Sequence, residues 1–224
     1  MKISNDTLAI LKNFASINSN VLIKPGNMVK TISPVKNVLV ESHVTEDFPV
    51  EFGVWDLNKF LATVNLFTDP IFNFEDKYVT ISESGKTNSV KYYYADASLL
   101  TVPTKDINLP EFVIEFDLTQ TNFGKLTQAA STLALPDLSV ETGNGESRLR
   151  VFDKKDPTSN DYSVTVGECA DEESYSMLFK VENLKLLPGD YKVSICERQV
   201  AQFEQKTLPV TYWIALEPDT KYGK

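Results

Sequence analysis

Four lysines, Lys12, Lys59, Lys125 and Lys185, sit in segments with a helical period, each off the apolar stripe of its segment, in a chain whose formal net charge is −9. Taken singly, a lysine on the polar face of an amphipathic helix is a solvated residue. Repeated at equivalent places in four segments, the same residue type describes a surface suited to a polyanion. Well-spaced ammonium groups contact phosphates without reading sequence, and such contacts weaken as salt rises. Three acids of these segments, Asp6, Asp56 and Glu182, fall in first turns, where capping and the helix dipole account for them. Set against the four lysines, these three acids leave a sum of +1, and all other residues of the chain sum to −10.

Other residues offer chemistry only in isolation. His43 is the sole histidine and has no evident Ser or Cys nucleophile to serve as general base, so a structural role is the better reading. Asp171-Glu172-Glu173 could hold a divalent cation, but three consecutive acids in a turn read as a solvated loop. Gly143-Asn144-Gly145 lacks the lysine and Ser/Thr of a phosphate-binding loop and reads as a hairpin turn. Tyr92 and Tyr94 fall on one face of a strand and could stack on bases, yet no arginine adjoins them, so packing is favoured. Cys169 and Cys196 form no close-spaced pair, and with one histidine they make no zinc set. No metal, cofactor or catalytic constellation is expected, and the chain reads as a non-enzyme.

The elements that must position the lysines are helices within a mainly β chain. Short runs rich in Val, Ile, Phe and Tyr, from VLIKPG to VTYWIALE, are separated by turn residues such as Pro25-Gly26 and Pro188-Gly189. Helical periods interrupt them near residues 5, 55, 118 and 180, with the apolar stripes Leu8, Leu11, Phe14, Ala15; Leu57, Phe60, Leu61, Val64; and Phe123, Leu126, Ala130, Leu133. The fourth segment, VENLKLLPGDY, spans a turn or two. Each is followed by several strands, so the unit repeats. TVPTKDINLPEF, residues 101–112, has two prolines and no period and reads as a linker between two domains, 1–100 and 113–224.

With 224 residues, 42% hydrophobic and 24% charged, the chain is expected to fold as an ordinary globular protein. Its acidity argues against adhesion of the whole surface to nucleic acid or anionic membranes. MKISNDTLAILKNF has no uninterrupted apolar core of the kind a signal peptide needs, and no later run offers the roughly 20 apolar residues that cross a bilayer. An intracellular protein is expected.

KISNDTLAILKNFASINS, WDLNKFLATVNLF, NLKLLPGDYKVSI and YWIALEPD, in that order and spacing, resemble the DNA polymerase sliding clamp of T4-like bacteriophages. The resemblance covers both halves of the chain. It implies an α+β DNA-clamp fold of two similar domains, each with two helices packed on antiparallel sheets, assembling into a homotrimer ring. It further implies that Lys12, Lys59, Lys125 and Lys185 line the DNA channel, and that the ring encircles duplex DNA and tethers a replicative polymerase. An ATP-dependent clamp loader would place it on DNA in the cytoplasm of an infected bacterium, and late transcription is an implied second role. Members of the family carry more basic residues late in the third helix than Gln128, Ala129, Ala130 and Ser131 here, which makes this channel less positive than is usual. By the same resemblance, partner peptides would dock near His43, Val44, Leu109, Tyr212, Ile214, Leu216 and Pro218; the alternation of Tyr212, Ile214 and Leu216 equally fits the core face of a strand.

Two readings from other classes stand beside this one. A single-stranded nucleic-acid binder would use Tyr92 and Tyr94 and would bind short oligonucleotides directly. A structural virion protein would share the strands and the acidity without a reason for the recurring lysines.

Overall fold

The computed structural model describes residues 1–104, 107, 109, 111–143, 145–168 and 174–223, without the side chains of 143, 222 and 223. Cys169 and the acidic run Asp171-Glu172-Glu173 lie outside the described residues. The chain separates into two compact units, Met1–Asp106 and Ile107–Lys224.

The first unit runs α1 (Asn5–Ile17), β1 (Val21–Ile23), β2 (Gly26–Ile32), β3 (Val38–Phe48), β4 (Phe52–Val54), α2 (Leu57–Val64), β5 (Pro70–Phe74), β6 (Tyr78–Glu83) and β7 (Ser89–Tyr93), ending in a 3-10 turn, Ala97–Leu99. All its pairings are antiparallel: β1 with β4, β2 with β3, and a sheet ordered β5-β6-β7. Both helices start where the sequence supplies an acceptor. Ser4 Oγ accepts from Thr7 N at 3.2 Å, and Asp56 Oδ1 accepts from Lys59 N at 2.9 Å. Helix α1 packs on β2, β3 and α2, burying Ile10, Leu11, Phe14 and Ile17. Its buried stripe is therefore rotated from the expected one, with Leu8 and Ala15 at its edge, half-buried. Beneath the helices Phe48, Phe52, Phe74 and Tyr94 form an aromatic cluster with centroids 5.1 to 6.0 Å apart.

One buried acid ties this unit together. The Glu46 carboxylate on β3 accepts from the Ser4 backbone N–H and from the Thr7 hydroxyl, so it fastens the start of α1 to the sheet. Burial alone would raise this carboxyl, but the bonds from Thr7 and Ser4 hold it below its ordinary value. A group depressed by folding adds stability above its unfolded pKa, and that contribution is lost as pH falls through the folded one. Glu46→Gln is expected to destabilise the protein by about 1–3 kcal/mol at neutral pH and to flatten the acid limb of the stability profile. Urea titrations from pH 7 down to pH 3 measure both; an unchanged acid limb would show that another carboxylate sets it.

The second unit runs β8 (Phe112–Leu118), α3 (Gln120–Leu133), β9 (Asp137–Gly143), β10 (Glu146–Phe152), β11 (Tyr162–Glu168), β12 (Ser174–Lys180), a 3-10 turn (Val181–Asn183), β13 (Tyr191–Cys196), β14 (Val200–Gln205), β15 (Val210–Ala215) and β16 (Lys221–Gly223). One sheet is ordered β11-β10-β9-β12-β16, and β15, β14, β13 and β8 are neighbours in that order in another. Thr119 Oγ1 caps α3, accepting from Asn122 N at 3.2 Å. Leu126 and Ala130 are the buried residues of α3, while Phe123 is half-buried and Leu133 is 39% exposed.

Two expectations are corrected here. The fourth helical segment is a single 3-10 turn, and Lys185 follows two residues after it: Pro188 and Gly189 stop the chain before an α-helix can be established. Strands β8, β14 and β16 are not anticipated by the sequence pattern; β8 begins at the last residue of the stretch that reads as a linker. Gly143 and Gly145 flank the junction of β9 and β10, a hairpin register that pairs Gly143 with Glu146, and Asn144 lies outside the described residues.

Candidate nucleic-acid interface

The outer faces of the three α-helices are built from small and polar side chains around one lysine each. On α1, Asn5, Ala9, Lys12 and Ser16 are exposed, and their spacing of four, three and four places them in one stripe. On α2 the exposed residues are Asn58, Lys59 and Ala62. On α3 they are Gln120, Thr121, Gly124, Lys125, Gln128, Ser131, Thr132 and Leu133. Within these helices Asp6 is the only acid, and it lies in the first turn of α1.

Pairing separates these lysines from several others. Lys30 pairs with Glu41 at 3.1 Å, Lys154 with Asp219 at 3.0 Å, Lys192 with Glu115 at 2.8 Å and Lys206 with Asp117 at 2.7 Å, and Lys2 and Lys180 pair with Asp69 and Asp137. Among the described residues Lys12, Lys59 and Lys125 make no ion pair, and each is exposed. An unpaired, solvated ammonium keeps its charge available to an external anion, whereas a paired one is largely neutralised at a distance. Sequence spacing places these three lysines on the polar faces; only the structure shows which lysines have acids beside them.

Lys185 is also exposed, but its support is different. It belongs to the segment between the 3-10 turn and β13, anchored by Leu184, which is buried. The same segment ends at Asp190, whose carboxylate accepts from Gln120 N at 2.7 Å and so caps the first turn of α3 along with Thr119. Sequence reasoning does not find Asp190, because its partner lies 70 residues away.

The residues expected to receive partner peptides are disposed unevenly. His43 and Pro218 are exposed, Leu109 is half-buried, and Val44, Tyr212, Ile214 and Leu216 are buried. Tyr212 spends its hydroxyl internally, accepting from Leu187 N at 3.1 Å. Tyr92 and Tyr94 serve packing: the Tyr92 ring meets Phe60 edge-on at 5.0 Å and the Tyr94 ring meets Phe52 at 5.5 Å. Among the described residues no three His, Cys, Asp or Glu side chains group as a metal site, and no helix is long and apolar enough to cross a membrane.

Residues 115–218 match the family model described as the C-terminal part of the gp45 sliding clamp. The chain is 31% identical over 222 residues to the sliding clamp of Vibrio phage KVP40, covering 97% of this chain and 99% of that one. The chain belongs to the sliding-clamp family. The clamp of Enterobacteria phage T4 is 27% identical over 230 residues, with 99% of both chains covered. The solved Proliferating Cellular Nuclear Antigen of Entamoeba histolytica shares the fold, with a TM-score of 0.68 at 14% identity over 94% of each chain. The α+β clamp fold expected from sequence is thus the fold of this clamp, with few helices on antiparallel sheets.

Proposed function

We propose that this clamp closes into a ring of three copies around duplex DNA, with Lys12, Lys59, Lys125 and Lys185 facing the phosphates, and tethers a replicative polymerase for processive synthesis without catalysing a reaction itself. The observation that carries this reading is the pairing pattern: the helix lysines are exposed and lack ion pairs among the described residues, on acid-poor faces of an acidic chain. A ring held topologically needs no strong grip, so a few weak phosphate contacts suffice, and these leave sliding unimpeded.

Two sheet edges support closure. β7 ends the order β5-β6-β7, and β11 ends the order β11-β10-β9-β12-β16. An unpaired edge is a template for another strand, and joining two different edges from copy to copy makes a head-to-tail contact that closes into a ring. Residues 101–112 serve as the connector between domains in this reading. Because a closed ring cannot thread onto DNA lacking ends, an ATP-dependent loader opens it, in the cytoplasm of the infected host. Partner peptides dock near His43, Leu109 and Pro218, and a late-transcription role is carried over from the family resemblance as part of this reading.

Light scattering over a concentration series at low and moderate salt tests the assembly. The expected mass is three times 25.1 kDa. A monomer at every concentration would remove the basis for encirclement and would turn attention to short single-stranded oligonucleotides.

A further inference from the structure

Lys12, Lys59 and Lys125 are held by α-helices, but Lys185 is not, and the backbone after it must be fixed by something else. Among the described residues the bonds to Leu187 and Pro188 come from side chains of the sheet beneath. Tyr191 on β13 donates its hydroxyl to Leu187 O at 2.6 Å, while Tyr212 on β15 accepts from Leu187 N at 3.1 Å. Gln205 on β14 donates from Nε2 to Pro188 O at 3.0 Å and to the Tyr191 hydroxyl at 3.2 Å. Both tyrosines are fully buried and Gln205 is 8% exposed. Three adjacent strands therefore each send one polar group to the same two residues.

The fit is close enough to constrain the sequence above it. Gly189 has φ +149°, and a Cβ there would lie 2.8 Å from Gln205 Nε2, so no other residue sits over that amide without displacing it. Burial pushes the Tyr191 hydroxyl up to about 12 and the Tyr212 hydroxyl higher still, which keeps both protonated across any working pH. The next residue, Asp190, caps α3, the helix that presents Lys125. The bracket thus reaches both elements of this unit that carry the proposed channel lysines.

We infer that Tyr191, Gln205 and Tyr212 are positioning residues for DNA contact: they hold the segment 184–190 so that Lys185 is presented at a fixed place, and through Asp190 they steady the start of α3. This rests on the channel reading of Lys185. It also assigns Tyr212 to the support of the channel, where the family resemblance places it in a peptide pocket. A polar bracket of this kind holds a loop in one conformation because each buried donor or acceptor left unpaired is penalised.

The test uses the assembled clamp. Tyr212→Phe and Tyr191→Phe each keep the ring and remove one hydroxyl, and Lys185→Gln removes the charge. Amide exchange at 185–189 should rise about two- to tenfold in either tyrosine variant, as expected for the loss of one hydrogen bond to that segment, with β13, β14 and β15 unchanged. Retention on closed circular DNA at moderate salt should fall by a similar factor in Tyr212→Phe and in Lys185→Gln, and the double variant should fall by less than the product of the two, because only the part acting through Asp190 and α3 remains once Lys185 is gone. Unchanged exchange at 185–189 would overturn the bracket whatever the lysine does. Full additivity in the double variant would also overturn it, by showing that the hydroxyl acts on the fold. If Lys185→Gln retains DNA normally while exchange rises as expected, the channel role of Lys185 fails and the DNA-positioning inference fails with it, leaving the bracket as a loop support only. Should Tyr212→Phe fail to assemble, Gln205→Met gives the same three readouts.

Discussion

Replacing Lys12, Lys59 and Lys125 together with glutamine is expected to leave the mass of the proposed trimer and the circular dichroism unchanged while cutting retention on closed circular DNA roughly tenfold at moderate salt. The reasoning is additive: an exposed ion pair contributes about 0.2–1 kcal/mol, so a few engaged at once account for an order of magnitude. The salt dependence should change in step, its slope becoming shallower by about 0.9 for each phosphate that no longer faces an ammonium group. Since these residues are exposed and make no ion pair among the described residues, their loss has no folded partner to orphan. Processive synthesis with polymerase and loader should shorten in parallel. Loss of the trimer would show that the lysines serve assembly, and an unchanged slope would sink the channel.

The second large effect is expected at the sheet edges. Val90 on β7 and Val164 on β11 are half-buried, and each is on a strand that ends its sheet. Lysine on an edge strand opposes pairing with a second edge, because the new interface would desolvate the charge. Val90→Lys or Val164→Lys should weaken each subunit interface by about 2 kcal/mol, roughly 30-fold, and a closed trimer has one such interface per subunit. Light scattering should then give monomers at concentrations where the unmodified protein assembles, with thermal unfolding little altered. A trimer that survives both substitutions would place the interface on other strands.

Much of this clamp is legible in the sequence, and the failures have local causes. Ser4, Asp56 and Thr119 stand where helices begin, so α1, α2 and α3 announce themselves. The apolar stripe of α1 is rotated from the expected one because Ile10 and Ile17, not Leu8 and Ala15, are its buried members: a period identifies a face only to within a residue or so. The segment around Lys185 has a helical pattern too short to nucleate, and tertiary bonds from Tyr191, Gln205 and Tyr212 decide its course. Strand β14, VAQFEQ, escapes notice because its apolar members are few and its alternation is weak without its neighbours. Of the candidate site, residue type and spacing find the lysines, yet the absence of neighbouring acids depends on contacts between residues far apart in the chain.

The helix faces contain lysine but no arginine. Arginine's planar fork is the commonest means of gripping a guanine edge, while an ammonium on a flexible stem stays hydrated and meets phosphate as a point charge. Ala9, Ala62, Gly124 and Ser131 beside these lysines are too short to reach into a groove. In the proposed channel, motion along the duplex would therefore cross no base-pair-sized barriers: friction on the ring would come from water and exchanging counterions, and one stretch of DNA would be travelled as readily as any other.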